Sequence, residues 1–276
     1  MSQCTTISSL KRLGIEGLSF NEGESPYYKL MSSILTTYPH LNEYFGLRGI
    51  VSGSGWSTVL GKTYTITFEG IQAVLQILRV NAIVTESLAE IKKQCLGLKE
   101  GERLAFVTEG RDSSKHAISL FARKKRGILQ ITINDSLGYH ISFAETLRET
   151  LATTVQIFGS KVLRQQEGEV TCNAFAITDC VAFHQDRELM DKIIARSDAT
   201  LFAEDVHAIR KLPYSLMTLQ YPMEARKEAL KHQAMLIEVA MEEANPGSQI
   251  TCRSKSSICN WLFEALNVYL NLSFQK

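Results

Sequence analysis

From Cys172 to Phe183 the chain reads Cys-Asn-Ala-Phe-Ala-Ile-Thr-Asp-Cys-Val-Ala-Phe, almost wholly apolar. A helix that is apolar all round must be enclosed by protein, so this stretch predicts a central, buried helix around which the other elements pack. The preceding Gln165-Gln166-Glu167-Gly168-Glu169-Val170-Thr171 reads as the end of a short strand and a tight turn. Cys172 therefore stands at the start of the helix, where the dipole and the first-turn N–H groups favour a thiolate. Cys180 lies two turns further in, where a thiol is buried and inert. Cys172 is accordingly the candidate nucleophile, and Gln166, six residues earlier, can place a side-chain amide beside it.

Histidines stand at 40, 116, 140, 184, 207 and 232, and none forms an H-E-x-x-H set. A lone histidine is ordinarily a surface or core residue, but His116 has company. It enters a segment, 116–123, that alternates as a strand. Lys124-Lys125-Arg126-Gly127 reads as a hairpin turn, and Ile128 to Ile133 as the returning strand, closed by Asn134-Asp135. In such a hairpin, positions 116 and 135 come close to facing each other. Asp135, otherwise a turn residue, can then hold the imidazole through Nδ1–H and leave Nε2 to deprotonate a thiol. The chain order His116, Asp135, Gln166, Cys172 differs from that of papain-type enzymes, in which the cysteine comes first.

Around this centre the periodicity predicts an α+β chain. Helices are expected at 24–38, at 69–95 (one long or two joined), at 142–158 with Ser142 and Glu145 as a capping box, at 186–195, at 203–210, at 224–243 and from 256 or 257 to 270. Strands are expected at 64–68, 104–108 and 161–166, besides the hairpin. Residues 49–58 read as a glycine-rich loop. The Gly61-Lys62-Thr63 that follows is no phosphate loop: Trp56 stands where that motif needs its first glycine, and Thr63 runs into strand-like Tyr-Thr-Ile-Thr-Phe. The expected organisation is a mostly helical region at 1–100, a catalytic core at 101–200, and a C-terminal helical region at 201–276 packing with the N-terminal part.

Charge and cysteine usage narrow the partners. Thirty basic and 29 acidic residues leave a net charge of +1, which argues against bulk nucleic-acid binding. The six cysteines include no C-x-x-C pair, so neither a zinc site nor a disulfide framework is signalled, and no metal is expected. No apolar run reaches the ~18–20 residues needed to span a bilayer. The polar N-terminus lacks the apolar core of a secretory signal. A cytoplasmic protein, or one exported without a cleaved signal, is expected.

The order His, acid, Gln, Cys resembles the ubiquitin-like-protease clan of cysteine enzymes, and Gln166-x5-Cys172 is similar to the Gln-x5-Cys motif of the SUMO proteases. Within the clan the chain resembles the YopJ family of bacterial effector acetyltransferases. The likeness rests on His116-Ala-Ile-Ser-Leu-Phe-Ala-Arg, on Gly127 and the strand to Asp135, on the apolar helix after Cys172, and on Asp186-Arg187-Glu188-Leu189-Met190-Asp191-Lys192-Ile193. Leu212-Pro213, Thr218 and the basic helix beyond them extend it, so that it covers roughly residues 103–235. The chain departs from the family's common pattern at Asp135, where Glu is usual, at Asn173, where Gly is usual, and at Phe121, where Asp is usual.

The resemblance implies a ubiquitin-like-protease-type core, a central mixed β-sheet flanked by helices, with an additional helical lobe from the terminal regions. It implies a secreted effector that acts inside a host cell and moves an acetyl group from acetyl-CoA to Ser, Thr or Lys of a host protein. His116, Asp135, Cys172 and Gln166 would be the catalytic set, and inositol hexakisphosphate an activator. Arg123, Lys124, Lys125, Arg126, Arg210, Lys211, Arg226, Lys227 and Lys231 are available to such a polyanion, but no binding site is assigned. An isopeptidase for ubiquitin-like proteins with the same four residues, and an inactive module that only docks on a host protein, are the alternatives.

Overall fold

A computed structural model of the chain describes residues 26–51, 59–110, 116–136, 140–151, 154–160, 171–195, 209–212 and 222–244. In order these form α1 (Pro26–Thr37), a 3-10 helix (Pro39–Glu43), β1 (Phe45–Val51), β2 (Val59–Ile66), α2 (Phe68–Ile77), β3 (Ala82–Val84), α3 (Leu88–Gly97) and β4 (Arg103–Glu109). There follow β5 (Ala117–Lys125), β6 (Ile128–Asn134), α4 (His140–Leu151), β7 (Val155–Ser160), α5 (Cys172–Gln185), α6 (Leu189–Ala195), β8 (Ile209–Leu212) and α7 (Pro222–Ala244). The described residues up to Gly70 and those from Arg226 onward form one compact unit; those from Ile71 to Ala225 form the other.

In the first unit β1 and β2 make an antiparallel hairpin. Tyr64 of β2 stacks on Tyr28 of α1 at 5.4 Å between ring centroids, and its hydroxyl lies 3.2 Å from Ser32 Oγ.

The second unit is a six-stranded mixed sheet in the order β3-β4-β5-β6-β7-β8. Its centre, β4-β5-β6, is antiparallel, and the pairs β3-β4, β6-β7 and β7-β8 are parallel. The β5–β6 turn sets the register. Arg126 and Gly127 have φ of 55° and 75°, the left-handed pair whose twist suits a two-residue hairpin. The Glu100 carboxylate accepts hydrogen bonds from both of their amides.

With the register set, alternation decides what each face covers. Ile118, Leu120 and Ala122 of β5 and Leu129, Ile131 and Ile133 of β6 share a core with α3 and α4. The opposite parity, Ser119 and Phe121, meets α5: Phe121 stacks on Phe183 at 4.4 Å, and Ser119 bonds Asp179. As its composition predicts, α5 is buried along almost its whole length, from Cys172 through Phe183.

Several elements differ from the sequence expectation. The 69–95 stretch is two helices separated by strand β3, because Ile83 and Val84 pair with β4 instead of continuing a helical face. Ser87 is the signal that marks the second helix: its hydroxyl accepts from Glu90 N at 3.2 Å. The helix expected at 142–158 starts at His140 and ends at Leu151, so Ser142 lies within it and not at its N-cap position. Val155 to Ser160 is a strand between β6 and β8. Gly49 to Val51 belongs to β1, and Phe68 opens α2. Ile209 and Arg210, expected at a helix end, lie in β8. Asp186 follows α5, and the next helix begins at Leu189. The expected strand at 161–166 and the last helix lie outside the described residues.

Phe121 is fully buried beneath Phe183. Phe121→Ala is expected to destabilise the fold by about 3–5 kcal/mol, read as a lowered midpoint in urea unfolding at unchanged slope.

Candidate active site

Three elements bring the candidate residues together. His116 sits immediately ahead of β5, Asp135 immediately behind β6, and Cys172 at the first position of α5. The hairpin register pairs Ser119 with Asn134, so His116 and Asp135 are not strict partners. They close the same end of the hairpin, and their side chains meet there with Nε2···Oδ1 at 2.6 Å. Gly110 N donates to His116 O at 2.7 Å, which carries the β4–β5 pairing one step past the strand and fixes the histidine backbone.

The imidazole is used the other way round from the expected arrangement. Nε2, not Nδ1, faces the carboxylate, and the Cys172 side chain stands near enough to the ring to raise its pKa. The reversal follows from position: His116 lies at the strand entrance, between the end of β6 and the start of α5.

Both partners of the pair are buried, at 8% and 3% side-chain exposure. Burial by itself lowers the imidazole pKa. The hydrogen bond to Asp135, the hydrogen bond to Cys172 and the charges on both outweigh it and raise the value to about 10. The Cys172 thiol donates to Asn173 Oδ1 at 3.3 Å. Cys180, in the same helix, has its thiol pKa pushed up, first by complete burial and then by the Asp179 charge. Cys95 is pushed up to about 12 by burial.

Gln166 lies outside the described residues. Of the basic residues available to a polyanion, Arg123 and Lys125 converge on Asp191, at 2.8 and 2.7 Å, and hold its carboxyl below the usual range. Arg210 and Lys211 lie in β8, and Lys231 is 3.7 Å from Glu228. Among the described residues no group of three His, Cys, Asp or Glu side chains is placed to hold a metal ion. No helix among them is long and apolar enough to cross a membrane.

Sequence reasoning missed a second buried polar contact on the same helix. Ser119 Oγ donates to Asp179 Oδ2 at 2.8 Å, and burial raises the Asp179 pKa to about 7 against the lowering effect of that bond. The signal was present: Asp179 is the one acid within the apolar run 172–183.

No protein-family model matches the chain, and no curated protein matches it. Solved structures do. AvrA delL154 with IP6 and CoA is 11% identical, over 73% of this chain and 85% of that one, with a TM-score of 0.40. HopZ1a in complex with IP6 is 12% identical, over 99% of this chain and 98% of that one, with a TM-score of 0.42. At such identity and superposition the chemistry has to be argued from this chain's own residues.

The raised imidazole has a consequence for stability. A folded value of about 10 lies above the ordinary 6.5, so the pair's contribution is complete below pH 6.5 and is lost as pH rises through about 10. The Asp179 change lies lower, finished by about pH 7, and Cys95 and Cys180 enter only above the ordinary thiol value of 9.0.

Proposed function

We propose that the chain is a divergent YopJ-type acetyltransferase that works through a Cys172–His116–Asp135 site. The observation that carries the reading is the buried imidazole held at 2.6 Å by Asp135 with a helix-start cysteine near enough to raise its pKa. The sequence motifs that resemble the family supply the donor and the host setting. The ubiquitin-like-protease-type core, with a lobe from the terminal regions and catalytic residues between 101 and 200, belongs to the same proposal.

His116 takes the proton from Cys172 Sγ, and Asp135 stabilises the imidazolium. The thiolate attacks the acetyl carbonyl of acetyl-CoA. The Cys172 backbone N–H and the Gln166 side chain stabilise the oxyanion. Collapse expels the CoA thiolate, which takes the proton from His116 and leaves the acetyl group on Sγ. An acceptor hydroxyl or amine of a host protein then gives its proton to His116, attacks the acetyl carbonyl and restores Cys172. Inositol hexakisphosphate serves as activator through basic side chains.

The same side chains would serve an isopeptidase, whose acyl carbonyl comes from a ubiquitin-like protein. Labelled acetyl-CoA with and without inositol hexakisphosphate, run beside a C-terminally activated ubiquitin-family probe, separates the two. Acid-stable label is expected on wild type, none on Cys172→Ala, and at least a hundredfold less on His116→Ala, in line with loss of a general base. A probe adduct at Cys172 without acetyl transfer would sink the acetyltransferase reading, and silence in both assays would favour a docking module.

A further inference from the structure

The Cys172 sulphur has a second polar neighbour besides the imidazole. Asn173, buried beside it, turns its carboxamide so that Oδ1 accepts the thiol hydrogen at 3.3 Å. A carbonyl oxygen in that place acts on one protonation state only. It stabilises S–H, which can donate to it, and opposes S⁻, which presents a lone pair to a lone pair. The imidazole acts the other way, because its protonated form attracts the thiolate. The Cys172 sulphur thus has two polar neighbours with opposite effects on its reactivity.

We propose that Asn173 is a further catalytic residue that lowers the thiolate fraction of Cys172 in the resting protein. The inference rests on Cys172 being the nucleophile. It assigns the thiolate fraction to a balance between His116, which raises it, and the Asn173 carboxamide, which lowers it. Releasing the carboxamide, by rotating it away as an acyl donor or activator seats, arms the sulphur. The fraction kept as thiol is protected from oxidation and from adventitious alkylation, which act on the thiolate.

Among the described residues the titratable groups around Cys172 are His116 ahead of β5 and, through it, Asp135 behind β6, while Asp179 and Cys180 lie about two turns further along α5. Asp135 acts through His116, and Asp179 bonds Ser119. Substitution at Asn173 leaves all of these in place, so its effect on the sulphur can be read separately from theirs.

The test is the rate of iodoacetamide alkylation at Cys172 across pH, followed by mass spectrometry, on the full chain. Asn173→Ala and Asn173→Gly are expected to raise the rate about two- to tenfold at pH values below the wild-type midpoint and to move that midpoint down. Asn173→Asp is expected to move it up. A purely structural role gives a different order, since an acid in the first helical turn supports the helix and glycine weakens it. Superimposable profiles for wild type, Asn173→Ala and Asn173→Gly, or a midpoint that rises in the latter two, would overturn the inference. If His116→Gln still shifts the wild-type profile in that case, the catalytic reading survives without it. If Cys172 reacts no faster than the same cysteine in the urea-unfolded chain at every pH, in wild type and variants alike, both fall together.

Discussion

The register of the β5–β6 hairpin is the constraint on which the second unit depends. Side chains alternate along a strand, so a slip of one residue would exchange the two faces of the sheet. Ser119 and Phe121 would then point into the aliphatic core with α4, and Leu120 and Ile118 would meet α5. The left-handed turn at Arg126 and Gly127, with both amides accepted by Glu100, holds the pairing in step. That step also places the ends of the two strands side by side, which is where His116 and Asp135 stand. A turn at the far end of the hairpin thereby fixes the geometry of the pair.

The same hairpin explains why the approach of His116 and Asp135 was legible in the sequence. Its signals are local: alternation, a basic glycine turn, and an acid at the end of the return strand. The buried helix was equally plain, since no polar stripe interrupts 172–183. What escaped were the strands whose partners lie far along the chain. Ala82 to Val84 and Val155 to Ser160 pair in parallel with strands from other parts of the sequence, and nothing within either segment records that partner. Ile83 and Val84 fit a helical period as well as a strand, so the tertiary pairing decides. The imidazole's orientation escaped for a similar reason. Which nitrogen meets the carboxylate depends on the path of the backbone at the strand entrance, held by Gly110, and residue order does not encode it.

A buried ion pair is a poor way to stabilise a fold, because desolvation offsets much of the attraction. Here burial lowers the His116 pKa while Asp135 and Cys172 raise it further, so the imidazolium survives at 8% exposure. Cys180 shows what the same helix does to a thiol without an imidazole beside it. Its proton is held more tightly than in water, by burial first and then by the Asp179 charge. The two cysteines stand eight positions apart in one helix, and each has a different neighbour, an imidazole for Cys172 and the Asp179 carboxylate for Cys180. Helix position explains part of the contrast, since the dipole favours an anion only within the first turn.

An apolar helix lying on an apolar sheet face has many nearly equivalent resting places. Dispersion and area burial are not directional, so they do not by themselves select among them. Three contacts on one face of α5 do. Phe183 stacks on Phe121, Asp179 accepts from Ser119, and Cys172 meets His116. Their positions, 172, 179 and 183, follow the seven- and four-residue steps of one helical face. Beyond the last of them, Arg103 donates to the His184 and Asp186 carbonyls and lies 4.5 Å from the Phe183 ring centroid, which ties down the helix C-terminus. The Ser119–Asp179 contact is the costly member of the set. Its carboxyl is raised to about 7, and Oδ1 has no hydrogen-bond partner. Apolar residues in both places would bury without that cost and would leave the helix free to slide or rotate. A shift along the axis would move the Cys172 sulphur relative to the imidazole, so the polar contact at the middle of the helix bears on the geometry at its end.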